Sequence, residues 1–291
     1  MNTNVFAMDW TMLIISLAVA VGVAVFPPAV LGRGAGTFDG RWALAGGSVG
    51  IGFVLAPHPV AGVFALPWLM AAATEFVARA RAVVAQRRAD LPEVGELAAA
   101  GFLLVAGLFA LDSCVGRAWF GYGEPIARLT AVHFTYAGVG AVGLAVAALR
   151  SRPGSPWRRG GVLALVAGMP LVAAGFATGV AVLQVGGPLV VSIGVYLVAC
   201  AQLADGVRRR SGWLIVSGLS VWGPMGLAMA WALAPHTGGP ALSIDAMVPL
   251  HGGGQALGFV LCGLAGRGLL PWAANRATER RPAGAAATAA T

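Results

Sequence analysis

The chain has 291 residues, of which 58% are hydrophobic and only 10% charged, far below the roughly 25% charge of an ordinary soluble domain. Its net charge of +8 comes from 19 arginines and no lysine, confined to stretches between apolar runs. Apolar runs of about 20 residues recur from end to end, which excludes a soluble domain, and the confinement of arginine marks topology signals and headgroup contacts rather than a nucleic-acid face.

In chain order, MNTNVFAMDW lacks the positive stretch of a cleavable signal peptide, so the first apolar segment is expected to remain in the protein. Nine spans are predicted, near residues 10–32, 42–57, 60–78, 96–116, 129–149, 161–183, 186–204, 213–234 and 246–266, with eight as the alternative count. Pro27-Pro28 is expected to close the first. Connections such as APHP, RSRPGSPWRR, GGP and APHTGGP carry turn residues. The expectation is an all-α polytopic transmembrane bundle over 1–273. The Ala/Thr/Arg-rich tail 274–291 is expected to be a disordered cytoplasmic segment.

The arginines orient this bundle. Arg33 and Arg41 follow the first span, Arg79, Arg81, Arg87 and Arg88 the third, and Arg150, Arg152, Arg158 and Arg159 the fifth. Arg208, Arg209 and Arg210 follow the seventh, and Arg267, Arg276, Arg280 and Arg281 the ninth. Only Arg117 and Arg128 fall in the other loops. Positive charge favours the cytoplasmic side, so an odd number of spans, an outer N-terminus and a cytoplasmic C-terminus are expected. Weak internal similarity links 132–150 with 250–267, and 158–170 with 209–221, and reads as a parallel repeat or as chance in a Gly/Ala/Leu/Val-rich chain.

On this topology all four histidines, with Asp112, Glu124 and Asp245, fall in the outer half. Asp39, Asp90, Glu93 and Glu96 lie on the cytoplasmic side beside arginines and read as solvated charges. Glu75 stands one turn before Arg79, and Asp205 three residues before Arg208, so both are expected to pair locally. His58 and His236 sit in loops beside proline and read as exposed. An ionisable group in hydrocarbon faces the bundle interior or a wet cavity, and His133, His251 and Asp112 are the candidates. His251 and Gln255 are spaced i,i+4, and His133 and Tyr136 i,i+3, so each pair is expected to share a face of its helix. Gly252, Gly253 and Gly254 let a helix or ligand approach the backbone. Trp10, Trp42, Trp119, Trp157, Trp213 and Trp272 read as interfacial, leaving Trp68, Trp222 and Trp231 as possible pocket walls. Cys114, Cys200 and Cys262 have no CxxC spacing and read as buried free thiols.

At LTAVHFTYAG (129–138) and MVPLHGGGQALGF (247–259) the sequence resembles the YndJ-like family of bacterial integral membrane proteins. His133-Phe134, Tyr136-Ala137-Gly138, His251-Gly252 and Ala256-Leu257-Gly258-Phe259 carry the resemblance. Gln255 stands where that pattern implies Asn, keeping the amide and lengthening its reach. The resemblance implies a transporter-like label and no mechanism.

Three chemistries fit these residues. The first is an intramembrane acid–base enzyme on a lipophilic, terpenoid-like substrate, a protonation-initiated cyclase or isomerase. Asp112 would be the acid and His133 and His251 would orient it or remove the last proton, with Phe134, Tyr136, Trp222, Trp231 and Gln255 lining the substrate site. No DDxxD-like cluster is present to hold a diphosphate through magnesium. The second is a proton-coupled transporter or permease, favoured by helix interruptions at Pro67, Pro170 and Pro224. The third is a zinc site, for which no HxxxH or HExxH spacing exists. The first is the primary expectation, with no metal or cofactor. The expected partners are the lipid bilayer and a lipophilic small molecule.

Overall fold

The computed structural model describes residues 10–32, 39–86, 89–240, 242–270 and 273. The tail 274–291, Trp272 and the arginines at 33, 87 and 88 lie outside them. The described residues form nine helices and no strand: α1 (Trp10–Leu31), α2 (Gly40–Leu55), α3 (Pro59–Gln86), α4 (Leu91–Val115), α5 (Ile126–Ser151), α6 (Pro156–Thr178), α7 (Ala181–Arg209), α8 (Gly212–Thr237) and α9 (Ile244–Gly266). All except α2 are long and apolar enough to cross a membrane.

The caps are local and legible. Asp90 accepts the backbone N–H of Glu93 while the Glu93 carboxylate takes that of Asp90, which closes the start of α4. Gly116, in the left-handed region at φ 72°, ends it. The first prediction to fail is at Pro27-Pro28: α1 continues through both to Leu31. They sit close enough to the helix end that the missing N–H groups cost little propagation.

Helix α2 has 16 residues, about 24 Å at ~1.5 Å per residue. It nonetheless runs from one end of the bundle to the other. It begins after α1, whose last carbonyl, that of Leu31, accepts a hydrogen bond from Arg79 of α3. Beyond its other end, His58 donates its N–H to the carbonyl of Cys114 at the far end of α4 (3.0 Å).

Helix contacts rest on small residues, as in lipid, where apolar tails remove most of the hydrophobic drive between helices. Between α6 and α7, a Cβ on Gly187 would lie 2.6 Å from the Val172 nitrogen, and one on Gly175 would lie 2.7 Å from the Leu183 carbonyl carbon. The two backbones therefore touch. Large aliphatic side chains such as Ile14, Leu17, Val54 and Leu163 are turned outwards. Trp10, Trp119 and Trp213 are exposed, as expected of interfacial residues, whereas Trp42 is only 1% exposed and belongs to the core. It packs inward because α2 sits against its neighbours through that face. Cys200 is also exposed, contrary to expectation, on the apolar outer surface of α7.

Four helices depart from regular α geometry. A turn at residues 64–65 interrupts α3 just before Pro67, and one at 220–221 interrupts α8 just before Pro224. In α5 the stretch Phe134–Ala141 is π-helical, and so is Val248–Leu261 in α9, where Cys262 donates its N–H to Leu257, five residues back. The two π segments adjoin: a Cβ on Gly140 would lie 2.5 Å from Val260. The order of the similar segments, α5 then α6 but α8 then α9, is exchanged, so the likeness is not a tandem repeat.

Candidate functional site

Polar residues gather at the two ends of the bundle. At one end the arginines converge. Arg79 pairs with Glu75 (2.9 Å) and Glu96 (2.5 Å), and Arg150 shares Glu96. Further round, Asp205 is fully buried. It accepts from Arg158 through both guanidinium nitrogens (2.8 and 3.0 Å), from Arg208 (3.1 Å) and from Arg267 (3.2 Å). The expected Glu75–Arg79 and Asp205–Arg208 pairs are therefore present. Glu96, read as solvated, is a half-buried bridge between two arginines, and Asp205 is the hub of a buried network. Sequence reasoning missed Arg158 and Arg267 because nothing in their spacing distinguishes them from the exposed arginines beside them.

The histidines lie towards the opposite end. His133 and His251 each stand seven positions after the first residue of their helix, Ile126 and Ile244. Each is at or near the start of a π segment, a geometry concentrated at functional sites. The Nδ1 of His251 lies 2.8 Å from the carbonyl oxygen of Pro224, just beyond the turn in α8. A carbonyl only accepts, so Nδ1 carries the proton and Nε2 is left as the base. His133 is exposed on α5, whose π segment adjoins that of α9. The backbone just after His251 is bare: a Cβ on Gly252 or Gly253 would meet nothing within 4 Å. Gln255 is half-buried one turn on, with its amide nitrogen buried and lacking a hydrogen-bond partner among the described residues.

The other candidates disperse. Asp112 is 1% exposed, and its Oδ1 accepts the Trp119 N–H (3.0 Å), tying the loop after α4 to the helix. Its Oδ2 is buried without a partner among the described residues, beside a cavity of about 170 Å³ that Pro57, Tyr122 and Glu124 line and neither histidine does. Close by, the buried Arg128 donates to Ser16 (2.9 Å) and Ser113 (3.2 Å). Phe134 is core, packed against Phe102 at 5.7 Å between ring centroids. Tyr136 donates its hydroxyl to the Ala18 carbonyl (3.0 Å) and meets Phe26 edge-on, so it faces α1. The wider π turn rotates less per residue than an α turn, so position i+3 falls short of the face of position i and the pair separates.

Trp222 stacks on Tyr196 and donates to the Gly218 carbonyl (3.0 Å). Trp68 is wholly buried. Trp231, half-buried, stands two turns beyond Pro224 on the same face of α8. His58 caps the start of α3 by accepting the Val60 N–H (3.2 Å), and both it and His236 are exposed, as expected. The interior between the two ends is polar at one level. Gln202 is fully buried with neither amide atom partnered among the described residues, near Ser217, which donates to the Phe259 carbonyl (2.7 Å).

No curated protein and no solved structure matches the chain. The YndJ-like protein family model matches residues 17–259, from within α1 to within the second π segment, so that both histidine motifs lie inside the match. The chain belongs to the YndJ-like family.

Proposed function

We propose that this YndJ-like protein is a multi-pass enzyme of the bacterial plasma membrane that shifts a proton on a lipophilic, isoprenoid-like substrate, with residues 1–273 as one membrane domain. The positive-inside rule supports a cytoplasmic arginine end and a histidine end facing outwards. The observation that carries the reaction is His251: a base whose tautomer and direction are held by the Pro224 carbonyl, facing bare glycine backbone beside an exposed second histidine. His133, carrying a transferred proton, delivers it to the terminal carbon of the alkene and leaves a tertiary cation. Nε2 of His251 then removes a proton from the carbon on the other side of that centre, and the double bond moves. A proton passing from His251 to His133 through water resets the pair. Isomerisation is favoured over cyclisation because Phe134, Tyr136 and Trp222 are engaged elsewhere and do not ring one cavity. Asp112 then serves its loop and is not the acid.

Two observations favour a second reading, proton-coupled transport: the interruption of α8 beside the site and the buried Gln202, without a hydrogen-bond partner among the described residues. The experiment that separates them compares lipid extracts, by mass spectrometry, of cells expressing wild type, His251→Ala or His133→Ala in a host supplying isoprenoid alcohols and other alkenes. An isomer of a supplied precursor, made only by the wild type, supports the enzyme. Identical extracts, with all three proteins present in the membrane, reject it and direct the test to flux in vesicles.

A further inference from the structure

At the arginine end a cavity of about 270 Å³ opens between the ends of α1, α5 and α7 and the residues that follow α9. Arg150, Arg209, Arg267 and Ser151 supply its polar wall, and aliphatic residues such as Val30 and Leu269 the rest. At ~30 Å³ per molecule it exceeds the volume of several waters.

Its surroundings are short of negative charge. Arg79, Arg150, Arg158, Arg208 and Arg267 share three carboxylates, Glu75, Glu96 and Asp205, all already engaged. Arg209 has no acidic partner among the described residues. The Arg267 side chain is 4% exposed, yet its Nε–H is buried without an acceptor among the described residues. Just beyond the end of α9, burial lowers the Arg267 guanidinium to about 10 despite Asp205, with Arg209 and Arg158 adding to the decrease. Buried cations in excess of their partners call for an anion. Guanidinium groups match the oxygens of a phosphate, and basic pockets between helices at this membrane level suit phosphorylated headgroups.

We infer that this cavity is a binding site for a phosphate group, held by Arg150, Arg209 and Arg267, with its aliphatic wall against whatever the phosphate is attached to. The ligand joins α5 and α9 at the ends opposite their histidines. The inference is independent of the proposed reaction. An anionic phospholipid and a free phosphate share this chemistry, and the test separates them.

The full-length chain, purified in neutral detergent, is examined by native mass spectrometry and thermal unfolding with phosphatidylglycerol, phosphatidylcholine or sodium phosphate added. Retention of phosphatidylglycerol and a Tm raised by several degrees, without either effect from phosphatidylcholine, is expected for a lipid ligand. A rise with sodium phosphate alone assigns the same site to a soluble phosphate. In either case Arg209→Gln weakens binding about tenfold, as loss of one charged contact should. The unliganded Tm is unchanged in that variant, because Arg209 is exposed and unpaired among the described residues. Arg150→Gln gives a second loss should either variant accumulate poorly. Absence of any adduct or Tm shift, or equal binding by wild type and both variants, overturns the inference.

Discussion

At the arginine end Asp205 holds three guanidinium groups within 3.2 Å, and helices α6 and α7 and the segment after α9 are bound to one another through it. At the histidine end His251 makes one hydrogen bond, to Pro224, and its neighbours are bare backbone and an exposed imidazole. Both regions place ionisable groups in an apolar bundle, but in the first the Asp205 carboxylate is taken up on both oxygens by guanidinium groups, whereas in the second Nε2 of His251 is left available. Saturation of that kind stabilises a fold, whereas residual valence beside open space is what a reacting molecule needs.

The sharpest way to test that contrast is to remove one residue from each end. Asp205→Ala strands Arg158 in a buried site, a loss of about 3–5 kcal/mol. The expected outcome is little or no folded protein, read by fluorescence size exclusion in detergent. His251→Ala deletes a single neutral bond worth about 1 kcal/mol, so the protein accumulates normally. Isomerase activity falls about 10²- to 10⁴-fold, as loss of a general base does, which product formation in membranes checks. Equal loss of folded protein from both variants would break the comparison.

Gly253→Leu refines it. Nothing stands within 4 Å of the added Cβ, so Tm is expected to hold while the side chain occupies the space beside His251 and turnover drops. Unchanged turnover would move the substrate elsewhere. The smallest effect is expected at Asp112. Asn in its place keeps the acceptor for Trp119 and leaves Tm and activity as they are, whereas Ala costs about 1 kcal/mol in Tm measurements and no activity beyond that. An inactive but stable Asp112→Asn would return the acid role to that carboxylate.

The helices were legible because lipid imposes one rule, unbroken apolar length. Even α2, short by that rule, was required by the arginines on either side of it. The histidines too could be singled out, since a titratable group in an apolar run has few bland explanations. What one position cannot display is its partner: Glu96 read as a solvated charge and Asp205 as half of a local pair because the residues that bury them come from helices distant in the chain. Phe134, Tyr136 and Trp222 were misplaced for a different reason. Their faces were judged by α periodicity, yet Phe134 and Tyr136 lie within a π segment, and Trp222 follows the turn at 220–221 that resets the phase of α8.

The Asp205 network also bears on how the chain enters the membrane. Arg158 opens α6 and Asp205 lies in the last turns of α7, so this pair of helices carries its own buried ion pair and can be inserted as a hairpin before anything downstream is made. Arg267 follows α9 and emerges last, docking onto a carboxylate that is already satisfied. Emergence of α9 therefore adds a third guanidinium to a carboxylate that Arg158 and Arg208 already share. A phosphate ligand would bind the bundle with α9 in place in preference to its shorter precursors.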